Sequence, residues 1–406
     1  MNIFLRETKH YKMLPEKSRI LIFSFALRSI AHPLLTIFIN SFIWRSTASL
    51  PSVVIYNLGF FIFLPLGFYV NGLLLKRIKI TKLYFTGLVV TSIAIAATIL
   101  FSGSTVWHFL FYGGIYGFGA GIYWANRNFL TFQEIESSHR NYFYSIASIL
   151  NSLISLLVTF LVGWLIVLGE NSGLYTPTIA YWVLSVLAVV VMTYSGVIIL
   201  KTDYVTPKIN TIAKFRISTK WNMVRLISFS MGVLEGVGFF LPTLLILFYL
   251  GDEGVLGTIS TIVTLIIATA TYLYGRLSKS HHRKPVFFVS LSLNILFSIF
   301  LLLLDHPFNI YVYVLFAGIA SIFQWLTIEP ILLDVMDDET NEEMDNQYMF
   351  VFDKELFLNI GRFFSVSVLL LIIKFTSQKT GLMVSPLILG VSQLILMSYI
   401  LRKSKF

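Results

Sequence analysis

The chain has 406 residues, of which 56% are hydrophobic and 12% charged, with a mean hydropathy of +0.80. Such a balance excludes an ordinary water-soluble globule, in which about a quarter of the residues carry charge. The net charge of +10 sits in short connectors between apolar stretches and not along one groove-tracking face, so no nucleic-acid partner is expected. The complete lack of cysteine excludes disulfides and thiolate metal sites.

A hydrocarbon layer of about 30 Å needs about 20 consecutive apolar residues per helix. In chain order the stretches that meet this length are 19–42, 52–75, 83–103, 107–129, 142–168, 178–200, 224–250, 256–275, 285–304, 310–333, 347–374 and 382–401. The fold class is therefore an all-α integral membrane protein of twelve transmembrane helices. The first stretch is too long for the apolar region of a cleavable signal peptide and contains Arg28 and His32, so it is expected to be a true span. Lys and Arg number 23 in the terminal segments and alternate connectors, against only Arg45, Lys374 and Lys379 on the opposite side. The positive-inside rule then predicts a multi-pass protein of the cell membrane with both termini cytoplasmic, which an even number of spans requires. The longest polar interruption divides the chain into an expected six-helix half at 1–200, a cytoplasmic linker at 201–223 and a second half at 224–406.

Charges inside the spans fall only on spans 1, 4, 7, 10 and 11. A charge in hydrocarbon is costly and normally faces a bundle interior or a water-filled path. On span 1, Arg28 and His32 are four residues apart and share a helical face; span 7 carries one carboxylate, Glu235, near its middle. These three are the candidates for proton coupling, with Glu235 facing the two basic side chains across the cavity. Span 4 holds Trp124, Asn126, Arg127 and Asn128 together near its end, and span 10 places Trp325 and Glu329 in the matching position. Trp124, Arg127, Asn128, Trp325 and Glu329 are the substrate or gate candidates, since Arg127 can meet either Glu329 or an anionic substrate group with its planar fork of donors.

Span 11 follows an acidic segment that begins at Asp334 and lacks the spacing of a calcium loop. It carries Asp353, Glu355, Asn359 and Arg362, the last three at i, i+4 and i+7, and is expected to form a charge network between the halves. Five glycines in span 4, with Gly113 and Gly117 in G-x-x-x-G register, predict close helix packing. Tyr116 and Tyr123 on the same span could stack on an amphipathic cargo. The adjacent His281 and His282 do not make a metal-ligand set. No metal, no cofactor and no catalytic residue is expected.

The connector after span 2 reads NGLLLKRIKITK from Asn71, and that after span 8 reads YGRLSKSHHRKP from Tyr274. Both resemble the G-x-x-x-D-R-x-G-R-R loop motif of the major facilitator superfamily, with Gly72 and Gly275 in the leading position and Lys76 and Lys279 where the family has aspartate. Gly72 and Gly275 are 203 residues apart and Trp124 and Trp325 201, as two six-span repeats require. The resemblance implies two pseudo-symmetric halves, with helices 1, 4, 7 and 10 around a central cavity, 2, 5, 8 and 11 between the halves, and 3, 6, 9 and 12 toward lipid.

No P-loop, nucleophile elbow or zinc-protease signature is present, so neither an enzyme nor a nucleotide-driven pump is expected. The reading that results is a secondary active transporter, working by alternating access with protons as the coupling ion. Its partners are membrane lipids and a small amphipathic or anionic substrate, with export favoured over import. The competing readings are a lipid or lysolipid carrier of the same fold and a membrane scaffold that moves nothing.

Overall fold

The computed structural model describes residues 11–101, 105–134, 137–207, 209, 211–214, 217–277, 280–303, 306–340 and 344–403, and within these every regular element is helical. Twelve long helices follow one another: α1 Glu16–Thr47, α2 Leu50–Leu74, α3 Ile80–Leu100, α4 Val106–Glu134, α5 Ser137–Asn171, α6 Pro177–Leu200, α7 Thr219–Leu250, α8 Glu253–Leu277, α9 Arg283–Leu303, α10 Pro307–Thr340, α11 Met344–Phe375 and α12 Gln378–Lys403. Helices are what a chain in hydrocarbon must form, because only they satisfy every backbone N–H and C=O within one segment. Eleven of the twelve are long and apolar enough to cross a membrane; α4, diluted by glycine and polar residues, is the exception. It lies between α2 and α3 and packs against both.

Helix starts follow their caps. The side chains of Ser49, Thr176 and Ser218 accept from the backbone N–H of Ser52, Ile179 and Trp221, so α7 starts at Thr219 and the connector ends at Ser218, inside the stretch read as linker. Helix α10 continues seven residues beyond the expected end at 333, which puts Asp334, Asp338 and Glu339 on its last turns. There they meet Arg283 at 3.1 Å, Lys220 at 3.4 Å and the hydroxyl of Ser218. A cluster read as a solvated connector is in part a helix end tied to basic neighbours.

We call the face that carries the connector 201–218 the linker face and the opposite one the far face. Helices α1 and α7 both run from the linker face and both are interrupted midway. In α1, Pro33 removes a backbone donor and is followed by a π-helical turn at Leu34–Phe38. In α7, the helix stops at Gly238, turns through Phe239 and Phe240, and resumes at Leu241 with Pro242 in its first turn. The two interruptions fall at corresponding places in the two halves.

Glycine sets the closest helix contacts. A Cβ on Gly113, Gly117 or Gly121 of α4 would stand 2.0 to 2.2 Å from the backbone oxygens of Tyr56, Phe60 and Leu64 on α2. The four-residue spacing keeps all three on one face of α4 and lets the two backbones touch along three turns. Between the halves, Gly163 of α5 lies against Gly257 and the Glu253 carbonyl of α8 in the same manner.

The halves join through α2 with α11, α5 with α8, and the far ends of α1 and α7. At the far face Glu253, only 1% exposed, leaves the second half and enters the first. It accepts from Arg45 at 2.8 Å and from the hydroxyls of Ser41 and Tyr181 at 3.1 Å each, while Arg45 also holds Glu170 at 2.5 Å. The Trp44 and Phe248 rings pack beside it, 5.6 Å apart. At the linker face the crossing among the described residues is made by neutral groups: the Tyr348 hydroxyl of α11 donates to the Phe68 carbonyl at 2.6 Å and accepts from Asn71 at 3.3 Å. Asn71 and Asn126 exchange amide hydrogen bonds alongside.

Two outcomes follow. Gly117→Ala should lower thermal stability in detergent by about 1–3 kcal/mol because α2 and α4 must part, whereas Gly238→Ala, with nothing within 4 Å of the new Cβ, should stay close to the parent. Equal melting curves for the two variants would count against backbone contact at Gly117. For the far-face ion pair, a double-mutant cycle with Arg45→Gln and Glu253→Gln should give a coupling energy of about 1–3 kcal/mol. Strictly additive losses would mean that the pair does not hold the halves together.

Candidate functional site

The breaks in α1 and α7 sit among the charged side chains of the bundle, and the two halves treat those charges differently. In the second half Glu235, Glu329 and Asp353 are each paired. Glu235 on α7 accepts from Arg362 of α11 at 2.9 Å, and Arg362 also donates to Asn359 at 3.1 Å. Glu329 on α10 meets Lys354 of α11 at 2.5 Å. Asp353 is gripped bidentately by Arg225 at 2.7 and 2.8 Å and accepts from the Trp221 indole at 2.7 Å. Glu355 lies within electrostatic reach of Arg362, Lys354, Glu235 and Glu329.

These partners differ from the expected ones. Glu235 meets Arg362 and not Arg28 or His32, and Glu329 meets Lys354 and not Arg127. The reason is proximity: α11 packs along α7 and presents a cation to each carboxylate within one half, so neither has to reach across the cavity. For the same reason the ion pairs of Asp353, Glu355's neighbours and Arg362 lie inside the second half, and the stripe on α11 is chiefly a network of that half. Its crossing contact is the Arg362 guanidinium, 5.6 Å from the centre of the Phe61 ring on α2.

In the first half the cations find rings instead. Arg28 stands 4.4 Å from the Tyr123 ring centre and 5.0 Å from that of Trp124, and Arg127 stands 4.6 Å from Phe25 and 4.7 Å from Trp124. One indole is thus shared by two guanidinium groups. Among the described residues neither has a carboxylate partner, and the Nε of Arg28, a residue 9% exposed, is buried without an acceptor. His32 lies within the field of both arginines. Asn128 follows Arg127 on α4, partly exposed, while Asn126 is buried in its exchange with Asn71. Ring faces stabilise a cation by about 0.5–2 kcal/mol each, which does not cancel the repulsion of two guanidinium groups in a low dielectric.

Aromatic rings separate the two charged regions. Phe239, at the break of α7, lies 5.7 Å from Phe60 and 5.9 Å from Phe61, and Phe60 stacks on Tyr116 at 4.5 Å. Beyond Phe239, within the second half, is a cavity of about 300 Å³ that Glu235 and Trp325 line. Reading the sequence alone missed three participants. Glu253 sits at the start of α8 and reads as a connector acid, Tyr348 as one more interfacial aromatic, and Asn71 as part of a loop motif. The sequence signal was available only for Glu253, which with the adjacent Asp252 forms the acidic pair of a far-face connector that opens directly into an apolar helix.

Comparison with known proteins places the chain. A sequence profile described as Major Facilitator Superfamily matches residues 20–366. The uncharacterised protein YqgE of Bacillus subtilis (strain 168) is 25% identical over 367 residues, which cover 90% of this chain and 84% of that protein. Among solved structures, a nucleoside transporter NupG superposes with a TM-score of 0.66 at 14% identity, over 95% of this chain and 99% of that one. A peptide transporter POT in complex with sulfate does so with 0.67 at 13% identity, over 97% and 96%. At such identities these two show a shared fold and no shared cargo. With the family profile spanning most of the chain and a twelve-helix bundle of transporter build, the protein is a multi-pass membrane transporter, not an enzyme, and belongs to the Major Facilitator Superfamily.

Proposed function

We propose that the protein is a secondary active transporter that exports a small amphipathic anion across the cell membrane in exchange for protons, with the linker face toward the cytoplasm. The observation that carries the anionic cargo is the pair Arg28 and Arg127, which share the Trp124 ring and, among the described residues, lack a carboxylate partner. Their unused N–H donors suit a carboxylate, sulfonate or phosphate. Tyr123, Trp124 and Phe25 offer apolar faces for the rest of the molecule. Asn128 stands beside Arg127 as a further polar contact.

Glu235 is the proposed proton carrier. Its Oε2 is buried without a partner while Oε1 holds Arg362, so the carboxylate can exchange that ion pair for a proton as the cavity changes sides. Trp325 and Glu329 with Lys354 would form the neighbouring wall, and His32 a second titratable group beside the arginines. Electrostatics favours the direction. One anion leaving as one proton enters moves two charges along an inside-negative potential, about 4.6 kcal/mol per 100 mV.

A second reading, a carrier of anionic lipids or lysolipids, is favoured by an apolar surface groove along the seam of α5, α8 and α10. Trp164, Thr258, Ile262 and Tyr311 line it, and it could admit an acyl tail from the side.

The test is a panel of aryl sulfonates and carboxylates set against the matching ammonium compounds. Naphthalene-2-sulfonate should protect the purified protein from thermal unfolding, and 2-naphthylmethylammonium should not. Arg28→Gln and Arg127→Gln should each weaken the sulfonate by about tenfold or more, the loss of one charge-assisted contact. Preference for the ammonium compound, or indifference to both substitutions, would rule out the anion site. Flipping of a labelled lysolipid in reconstituted vesicles, without movement of any soluble anion, would select the second reading.

A further inference from the structure

The cavity inside the second half is a second place where chemistry goes unmet. It is lined by α7, α8 and α10, with Asn294 of α9 and Pro386 and Leu389 of α12, helices that the family layout turns toward lipid. Its walls are mostly apolar, and its size falls at the lower end of small-molecule pockets. Polar side chains nevertheless converge on it. Asn294 and Gln324 line it at 3% and 1% exposure, and Gln393, wholly buried, donates to the Gln324 carbonyl oxygen at 3.1 Å. Such an amide bridge between α10 and α12 explains half of each glutamine and no more.

What is left over is specific. Asn294 Oδ1 is a buried acceptor without a donor, Gln324 Nε2 a buried donor without an acceptor, and Glu235 Oε2 a second bare acceptor on the same cavity. Each unmet group costs about 1–3 kcal/mol in a well-packed interior, so a bundle that needed these amides only for packing would be better served by leucine. We infer that this cavity is a binding site for a small uncharged molecule or moiety with an apolar body and a carboxamide-type edge. The N–H of such an edge donates to Asn294 Oδ1 or Glu235 Oε2, and its C=O accepts from Gln324 Nε2. Trp325 and Phe239 supply aromatic faces for the body. The site shares Glu235 and Trp325 with the proposed transport path and does not depend on an anion at Arg28 and Arg127.

The probe is 4-fluorobenzamide, followed by fluorine NMR on the full chain in detergent, with empty micelles as the blank. Saturable binding is expected with a dissociation constant of about 1–10 mM, the scale for so small a ligand. 4-Fluorotoluene, which has the same body without the edge, should bind at least about fivefold more weakly, and 4-fluorobenzoate should not saturate. Asn294→Leu and Gln324→Leu should each weaken the amide about fivefold or more while leaving the toluene unchanged. Ala317→Phe, which fills the cavity from α10, should abolish both, and Arg28→Gln should change neither. Binding of the amide no stronger than of the toluene in the wild-type protein would overturn the inference without recourse to any variant, and so would loss of amide binding in Arg28→Gln.

Discussion

The cost of a charge in hydrocarbon governs this molecule. An ion there must find a counter-ion, a ring face or water, and the partner it finds decides what it can do. In the second half the carboxylates Glu235, Glu329 and Asp353 take cations from α7 and α11, and these pairs fix helix to helix. In the first half Arg28 and Arg127 take aromatic faces, and no carboxylate pairs with them among the described residues. At the far face Glu253 is satisfied only by leaving its own half for Ser41, Arg45 and Tyr181. The three arrangements correspond to packing, to the proposed binding and to the joint between halves.

Those roles rest on the backbone geometry. Contacts of glycine with backbone oxygen bring α2 and α4 into one rigid pair, and this holds Trp124 and Arg127 in place opposite α1. The interruptions in α1 and α7 stand close to Arg28 and His32 on one side and Glu235 on the other. A small rotation at either break would re-aim a charge without breaking a long helix, as expected where a cavity must open alternately to two sides. The far-face joint combines one buried carboxylate with a Gly163–Gly257 crossing, and the linker-face joint uses neutral hydrogen bonds at Tyr348. The two ends therefore differ in how much they cost to separate.

Much of the fold was legible in the sequence, because apolar length and the placement of lysine and arginine are nearly one-dimensional properties. The twelve helices, the glycine face of α4 and the charges within the spans could be read there. Pairing could not. Glu235 and Arg362 are 127 residues apart, and which cation a carboxylate meets depends on how α11 lies on α7, which no spacing along the chain reveals. Helix ends also moved: α10 keeps its acidic residues helical because Arg283, Lys220 and Ser218 meet them. Glu253 escaped notice because its neighbours in space belong to α1 and α6, more than 70 residues away.

Alternation of the two faces around this charge pattern is the central claim, and distances between spin labels test it most directly. The chain has no cysteine, so pairs can be placed at Ser172 and Ser377 on the far face and at Lys76 and His281 on the linker face without background. Each pair should show two distance populations in lipid vesicles. Glu253→Gln, which weakens the far-face joint, should enrich the long distance at the far face and the short one at the linker face by the same proportion. A single, unchanging distance at both faces in the parent and in Glu253→Gln would contradict alternating access and leave a rigid membrane scaffold.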